Sequence, residues 1–275
     1  MLLFPNAKIN LGLNILSRRP DKYHDIATIF YPVGWCDALE VVPAADRESG
    51  CDLHLSGLAI DGRAEDNLVV KAYRILSRRY PMPPVEAYLH KVIPFGAGLG
   101  GGSSDASTML LLLRRLFSLP ADDDELAACA AQLGADCPFF IYNRPMLAEG
   151  IGDRLSPVDL SLQGYTLFLV KPPIAVSTAE AYSRVVPALP DEPLSAVVQR
   201  PVGEWKDCLV NDFEKSVFFH YPELARFKAR LYACGAVYAS MSGSGSTLYA
   251  LFRSLPEDIE REFPGCCIWS GPCQY

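Results

Sequence analysis

Pro94-Phe95-Gly96-Ala97-Gly98-Leu99-Gly100-Gly101-Gly102-Ser103-Ser104-Asp105-Ala106-Ser107 is loop chemistry that empties into an apolar stretch ending near Phe117. Glycine has no Cβ and accepts positive φ, so Gly98, Gly100, Gly101 and Gly102 can turn successive backbone N–H groups toward one anion. Ser103, Ser104 and Asp105 suit a helix N-cap, and Thr108, Met109, Leu110 to Leu113, Leu116 and Phe117 predict a strongly apolar helix. The positive end of that helix would face the same anion. The stretch therefore reads as a phosphate cradle; in a connection without a ligand, this density of glycine would be entropically costly.

Two other phosphate loops fail on context. Gly96-x-Gly98-x-x-Gly101 matches the dinucleotide fingerprint as a string, but that fingerprint needs a compact βαβ unit and an acidic residue closing its second strand. Here the acids come as Asp122, Asp123, Asp124 and Glu125 just after Pro120, where another helix begins. A Walker loop ends in Gly-Lys-Ser/Thr, and the chain contains no Gly-Lys pair.

The remaining composition bounds the answer. With 275 residues the chain can bury a large core in one large or two medium domains, and two are expected. Half of the residues are hydrophobic and mean hydropathy is +0.12, as in ordinary globular proteins, and no apolar run is long enough to cross a bilayer. A net charge of −7 and a pI near 5.2 argue against a nucleic-acid surface, though a few local cations can still meet a small anion. The nine cysteines form no CxxC and show no zinc spacing, so they read as reduced thiols; Cys266, Cys267 and Cys273 cluster near the end. Strand-like sequence begins almost at once, without a charged leader or apolar h-region, so the expectation is a cytoplasmic protein with nothing removed.

Along the chain, Ala7, Ile9, Leu11, Leu13 and Ile15 alternate with Lys8, Asn10, Gly12 and Asn14, the pattern of a strand with one polar face. Lys8 and Asn10 share that face, which serves either a ligand or solvent. Tyr23-His24 follows a turn and is either a surface pair or a binding pair. Strands at 38–42 and 52–55, with a turn at Asp61-Gly62, predict an antiparallel sheet. Asp66-Asn67 caps a helix, Pro81 to Pro84 breaks it, and the strand Val85 to Ile93 delivers the glycine loop.

After a helix from Asp123 to Leu133, Asp136 lies in Gly134-Ala-Asp-Cys-Pro-Phe-Phe140. A carboxylate among such neighbours is partly buried and serves either chemistry or a turn before Pro138. A hairpin-like segment spans 143–156, and a strand runs from Tyr165 to Val170. Ser177 or Thr178 caps a helix with Glu180, 186–204 reads as a proline-rich loop, and a helix covers Glu223 to Ala233. Two further strands flank Ser242-Gly-Ser-Gly-Ser246, which is either a hairpin turn or a second phosphate contact.

Taken in order, these stretches resemble the GHMP superfamily of small-molecule kinases. The match rests on Ala7-Lys-Ile-Asn-Leu11 with Asp21-Lys-Tyr-His24, on Pro94 to Ser107, on Gly134 to Phe140 and on Met241 to Ser246. It is supported at Ala148-Glu-Gly-Ile-Gly152, Val176 to Tyr182 and Asn211-Asp-Phe-Glu214. The resemblance implies a two-domain α+β GHMP kinase fold, with a ribosomal-protein-S5-domain-2-like N-terminal domain over 1–155 and a ferredoxin-like C-terminal domain over 156–275. It implies ATP as donor, Mg²⁺ as helper and, as small-molecule acceptor, the 2-hydroxyl of a cytidine diphosphate-linked methylerythritol of isoprenoid precursor biosynthesis. No nucleic-acid, membrane or obligate protein partner is expected.

By the same resemblance Pro94, Phe95, Gly96, Ala97, Gly98, Leu99, Gly100, Gly101, Gly102, Ser103 and Ser104 hold the ATP phosphates. Asp136 accepts the proton of the attacking hydroxyl, and Lys8 keeps Asp136 charged and stabilises the alkoxide. Tyr23, His24 and Tyr182 enclose the cytosine, Asn10 and Thr178 make polar contacts, and Asn67, Leu68 and Lys91 surround the adenine; no metal ligands are assigned. The competing readings are a kinase of the same superfamily for mevalonate, homoserine or a sugar, and a non-catalytic nucleotide sensor.

Overall fold

The computed structural model describes residues 1–44, 50–60 and 62–273; of the expected Asp61-Gly62 turn, Asp61 lies outside the described residues. The strands are β1 (Leu2–Leu3), β2 (Asn6–Arg18), β3 (His24–Cys36), β4 (Ala38–Pro43), β5 (Cys51–Gly57), β6 (Val85–Lys91), β7 (Met146–Gly150), β8 (Arg154–Pro157), β9 (Thr166–Lys171), β10 (Tyr238–Met241), β11 (Leu248–Phe252) and β12 (Cys267–Pro272). The α-helices are α1 (Leu68–Ser77), α2 (Gly101–Leu116), α3 (Asp123–Ala131), α4 (Cys137–Tyr142), α5 (Thr178–Tyr182), α6 (Leu194–Val197), α7 (Trp205–Cys208), α8 (Phe213–His220) and α9 (Pro222–Ala233). Short helical turns α6 and α7 occupy or follow the 186–204 segment read as loop, because Pro193 and Pro201 supply fixed φ just ahead of helical turns.

The chain forms two compact units. The first comprises Met1–Ala7, Trp35–Phe95 and Gly100–Asn143. Its sheet runs β1-β4-β6-β5, with β4 antiparallel to β1 and β6. β5 instead pairs with β6 in parallel, which corrects the expected all-antiparallel sheet: α1 lies between them in sequence and provides the crossover that parallel neighbours require. Leu39, Leu89, Val69, Leu76, Met109 and Leu113 join in the core between this sheet and α1 and α2.

The second unit takes Lys8–Gly34, Gly96–Leu99 and the chain from Arg144 onward. One sheet runs β2-β3-β7-β8 and the other β10-β11-β9-β12, the latter antiparallel throughout. Within the latter, the order of strands 2-3-1-4 with α9 leading into β10 is that of a ferredoxin-like βαββαβ unit. Phe168, Val170, Phe213, Leu224, Leu231 and Leu248 fill its core. The expected division at 155/156 cuts the chain once, inside β8, whereas the compact units are discontinuous in sequence. Strand pairing is the reason: β3 pairs with β7, and Leu13 bridges to Asn211, so early residues fold with late ones.

Candidate active site

In the first unit, β6 ends on a buried charge cluster. Lys91 Nζ donates to Asp37 Oδ2 and, at 2.6 Å, to Asp105 Oδ2, and all three residues are buried. Asp37 also accepts the backbone N–H groups of Val92 and Ile93, at 2.5 and 2.8 Å, which fastens the chain where it leaves the strand for the glycine loop. Burial pushes the Asp105 carboxyl up to about 7, with the Lys91 ammonium opposing that rise. Asp37 was missed by sequence reasoning, and nothing local marks it out, since Glu40 stands in the same largely apolar run from Ile29 to Val42.

Above this cluster lies a cavity of about 250 Å³ whose lining includes Leu55, Asn67, Leu68, Lys91, Phe95 and Asp105. The structure thus brings Asn67, Leu68 and Lys91 to one cavity. Asn67 caps α1 as expected, accepting from Val69 N–H at 2.9 Å, while Phe95 is 76 % exposed.

The glycine loop enters α2 earlier than expected. Gly100 is the N-cap in a left-handed conformation (φ 69°) with no side-chain cap, so Ser103, Ser104 and Asp105 lie inside the first turns rather than at the cap. A glycine cap needs no side-chain acceptor and leaves the Gly101, Gly102 and Ser103 N–H groups at the open end of a 16-residue helix. Ser104 Oγ is buried with no hydrogen-bond partner.

In the second unit, the polar face of β2 is buried: Lys8 is 4 % and Asn10 3 % exposed, so it is not a solvated sheet face. Lys8 Nζ donates to Asn10 Oδ1 at 2.7 Å and lies 4.8 Å from the Phe30 ring centroid. Asn10 Nδ2 donates to Thr28 Oγ1, and Thr28 donates to Gly12 O, so the amide of Asn10 orients Lys8. Thr28 was not singled out from the sequence, although it shares a face of β3 with His24.

Gly96 and Gly98 have positive φ, and a Cβ on Gly98 would stand 2.2 Å from Ser242 O. Ser242-Gly-Ser-Gly-Ser246 is the β10–β11 hairpin turn, and it also grips the glycine loop: Ser242 Oγ donates to Gly98 O at 2.8 Å. The backbone N–H of Lys8 donates to Leu99 O at 2.9 Å.

Asp136 immediately precedes α4 in the first unit, partly buried, and its side chain makes no cap bond to that helix. In the second unit His24 and Tyr182 stack with ring centroids 4.6 Å apart and an interplanar angle of 17°. Phe213 meets the Tyr182 ring edge-on at 4.7 Å, and burial raises the Tyr182 phenol, which keeps it neutral. Thr178 lies one turn before Tyr182 on α5, and Tyr23 is 62 % exposed. A larger cleft of about 460 Å³ between Tyr165, Arg200 and Arg253 contains none of the expected site residues.

Comparison with known proteins agrees with this picture. The N-terminal GHMP kinase domain matches residues 67–144 and the C-terminal GHMP kinase domain residues 194–267. The chain is 56% identical over 258 residues to a 4-diphosphocytidyl-2-C-methyl-D-erythritol kinase of Bacteroides fragilis, covering 94% of this chain and 93% of that protein. It is 53% identical to the kinase of the same name from Parabacteroides distasonis, covering 98% and 99%. A crystal structure of 4-(cytidine 5'-diphospho)-2C-methyl-D-erythritol kinase superposes with a TM-score of 0.81 at 34% identity, covering 98% of each chain. A mevalonate kinase of Methanococcus jannaschii shares the fold (TM-score 0.70) at only 12% identity, over 100% of this chain and 98% of that one. The chain belongs to the GHMP kinases and, among them, to the 4-diphosphocytidyl-2-C-methyl-D-erythritol kinase family.

Proposed function

We propose that this chain transfers the γ-phosphoryl group of ATP to the 2-hydroxyl of 4-diphosphocytidyl-2-C-methyl-D-erythritol, giving the 2-phosphate and ADP in the non-mevalonate supply of isoprenoid precursors. The observation that carries the assignment is 56% identity to a kinase of that name across 94% of the chain.

Phosphoryl transfer needs positioning and charge neutralisation more than covalent help. The N–H groups of Gly101, Gly102 and Ser103 supply fixed donors to the triphosphate, and the Ser104 hydroxyl, buried without a partner, is a polar group that such a ligand satisfies. The cavity over Lys91 takes the adenine, with Asn67 and Leu68 at its wall. Asp136 accepts the proton of the attacking hydroxyl, and Lys8, oriented by Asn10, stabilises the developing alkoxide. His24 and Tyr182 form the aromatic platform for the cytosine, with Tyr23 beside it; Thr178 adds a polar contact, and Asn10 acts mainly through Lys8.

Magnesium fits the same head of α2. No group of three His, Cys, Asp or Glu side chains forms a metal cluster among the described residues, and a magnesium carried on nucleotide phosphates needs only one or two protein oxygens, of which Ser104 Oγ is one. When bound, it neutralises charge on the phosphates. The division near 155/156 is proposed as the boundary between the two family halves, and the cytoplasm as the setting, in keeping with nine free thiols.

The test is ADP release with MgATP and the cytidyl acceptor, alongside mevalonate and homoserine. Acceptor-dependent turnover confined to the cytidyl compound supports the assignment. Preference for mevalonate or homoserine, or ATP binding with no transfer to any acceptor, overturns it.

A further inference from the structure

Helix α5 carries Tyr182 but has only five residues, too few to hold a ring in place by helical propensity alone. Its position is tied instead through one residue, Glu180, by both its carboxylate and its backbone carbonyl. Glu180 Oε2 accepts from the Ser177 backbone N–H at 2.9 Å and from Ser177 Oγ at 2.7 Å, and the Glu180 N–H donates back to Ser177 Oγ, a closed capping box. The other oxygen, Oε1, accepts from Tyr221 OH at 2.9 Å, and Tyr221 sits at the junction of α8 and α9. The backbone carbonyl of the same residue accepts from Ser183 Oγ at 2.7 Å and from Ser216 Oγ of α8 at 2.8 Å. One residue thus ties α5 to itself and to α8, which also supplies Phe213, the ring that meets Tyr182 edge-on.

We propose that Glu180, held by Ser177 and Tyr221, is a positioning residue for the acceptor's pyrimidine, fixing the Tyr182 ring against His24 so that the stacking surface exists before substrate arrives. Such preorganisation acts on binding: the ordering of a loop-like segment is completed in the free enzyme instead of being charged against each substrate. Substrate affinity for the cytidyl end should therefore depend on Glu180 and Tyr221, neither of which belongs to the stacked pair. This rests on the reading of His24 and Tyr182 as the cytosine platform.

The experiment measures kcat and KM for the cytidyl acceptor and KM for ATP in Glu180→Ala, Glu180→Gln, Tyr221→Phe and Tyr182→Ala. Tyr221→Phe removes one anchoring bond and is expected to raise the acceptor KM about tenfold, and Glu180→Ala, which removes that bond and both carboxylate bonds to Ser177, is expected to raise it at least as much, with kcat and the ATP KM within about twofold in both. Glu180→Gln keeps one acceptor oxygen for the Ser177 N–H and hydroxyl and sets an amide NH2 that donates to the Tyr221 hydroxyl oxygen, so it restores most of the affinity. If Tyr182→Ala raises the acceptor KM while Tyr221→Phe and Glu180→Ala do not, the clamp is refuted and the platform stands. If Tyr182→Ala itself leaves the acceptor KM unchanged, the platform reading fails and the proposal falls with it. Should Glu180→Ala not fold, Tyr221→Phe, which removes a single hydroxyl, decides the matter. A loss of kcat and of ATP affinity together, not restored in Glu180→Gln, marks a general structural role and also overturns the proposal.

Discussion

Replacing Lys91 by Met removes a cation hydrogen-bonded to two buried carboxylates, whose side chains are 0% and 4% exposed at Asp37 and Asp105. At the 2.6 Å separation of Lys91 and Asp105, an effective dielectric constant near 20 puts the pair attraction at ~6 kcal/mol, most of it cancelled by the cost of burying the charges. Deleting one partner forfeits the attraction and keeps the burial cost, so the net loss is about 3 to 5 kcal/mol. For a chain of this length that lowers Tm by roughly 6 to 20 °C. The pH dependence gives a second reading. Burial already raises the Asp105 carboxyl to about 7, so the folded state binds more protons than the unfolded one between its ordinary value of 3.8 and 7, and this group's contribution falls as pH rises through that window. Without Lys91 the rise is larger, so the deficit of Lys91→Met is expected to be greater at pH 8 than at pH 5, and Asp105→Asn in the same background should recover part of it. Thermal unfolding by circular dichroism at both pH values measures this. A Tm change under about 2 °C at both, against the several degrees expected from a buried pair, would refute a closed, charged cluster beneath the cavity.

Asp136→Ala is expected to lower kcat by about 10² to 10⁴ while ATP still binds, measured by ADP release and calorimetric titration; loss of ATP binding would make Asp136 structural. His24→Ala should raise KM for the cytidyl acceptor and spare kcat, and a collapse of kcat at unchanged KM contradicts the stacking role. Gly98→Ala places a Cβ 2.2 Å from Ser242 O at a φ of +74°, so the variant should lose several degrees of Tm, and a wild-type melting curve would show that the hairpin grip on the loop is dispensable.

What could be read from the chain beforehand follows the range of the physics involved. The glycine loop was legible because backbone freedom is local, and so was the Ser177–Glu180 cap, whose two ends are three residues apart. The alternation of Lys8 and Asn10 revealed a strand, but not that its polar face is buried, because the groups packed there, Thr28 and Phe30, come from a neighbouring strand, and Ser242 and Tyr249, which bond the Asn10 backbone, come from the far end of the chain. Asp37 was invisible for the same reason: its partner, Lys91, comes from another strand. The start of α2 was misplaced because Ser and Asp are good caps by propensity, while Gly100 in the left-handed region ends the loop before they are reached. β5 was given the wrong sense because strand signals carry no direction, and only the intervening helix makes a parallel neighbour feasible. His24 and Tyr182 were expected to share a pocket only through family resemblance, and their direct stack was not foreseen, since nothing in the spacing of two distant aromatic residues predicts contact.

The glycines of the loop separate fold from function. Gly98 answers to the fold, because its missing side chain admits Ser242 O. Gly102 does not: it has no positive φ, and a Cβ there would meet nothing closer than Leu68 Cδ1 at 3.9 Å. Near the start of a 16-residue helix, alanine is the better residue for stability by up to about 1 kcal/mol. A position where the protein tolerates a methyl group and would gain from it, yet carries glycine beside the cavity, points to something outside the chain that comes closer than a methyl group allows. A phosphate held by backbone N–H groups does so. Gly102→Ala should therefore melt at or slightly above the wild-type temperature while its KM for ATP rises about tenfold or more and its KM for the acceptor stays put. A variant that melts higher and keeps its ATP affinity would remove the triphosphate from this end of α2, and with it the reading of Pro94 to Ser104 as the cradle.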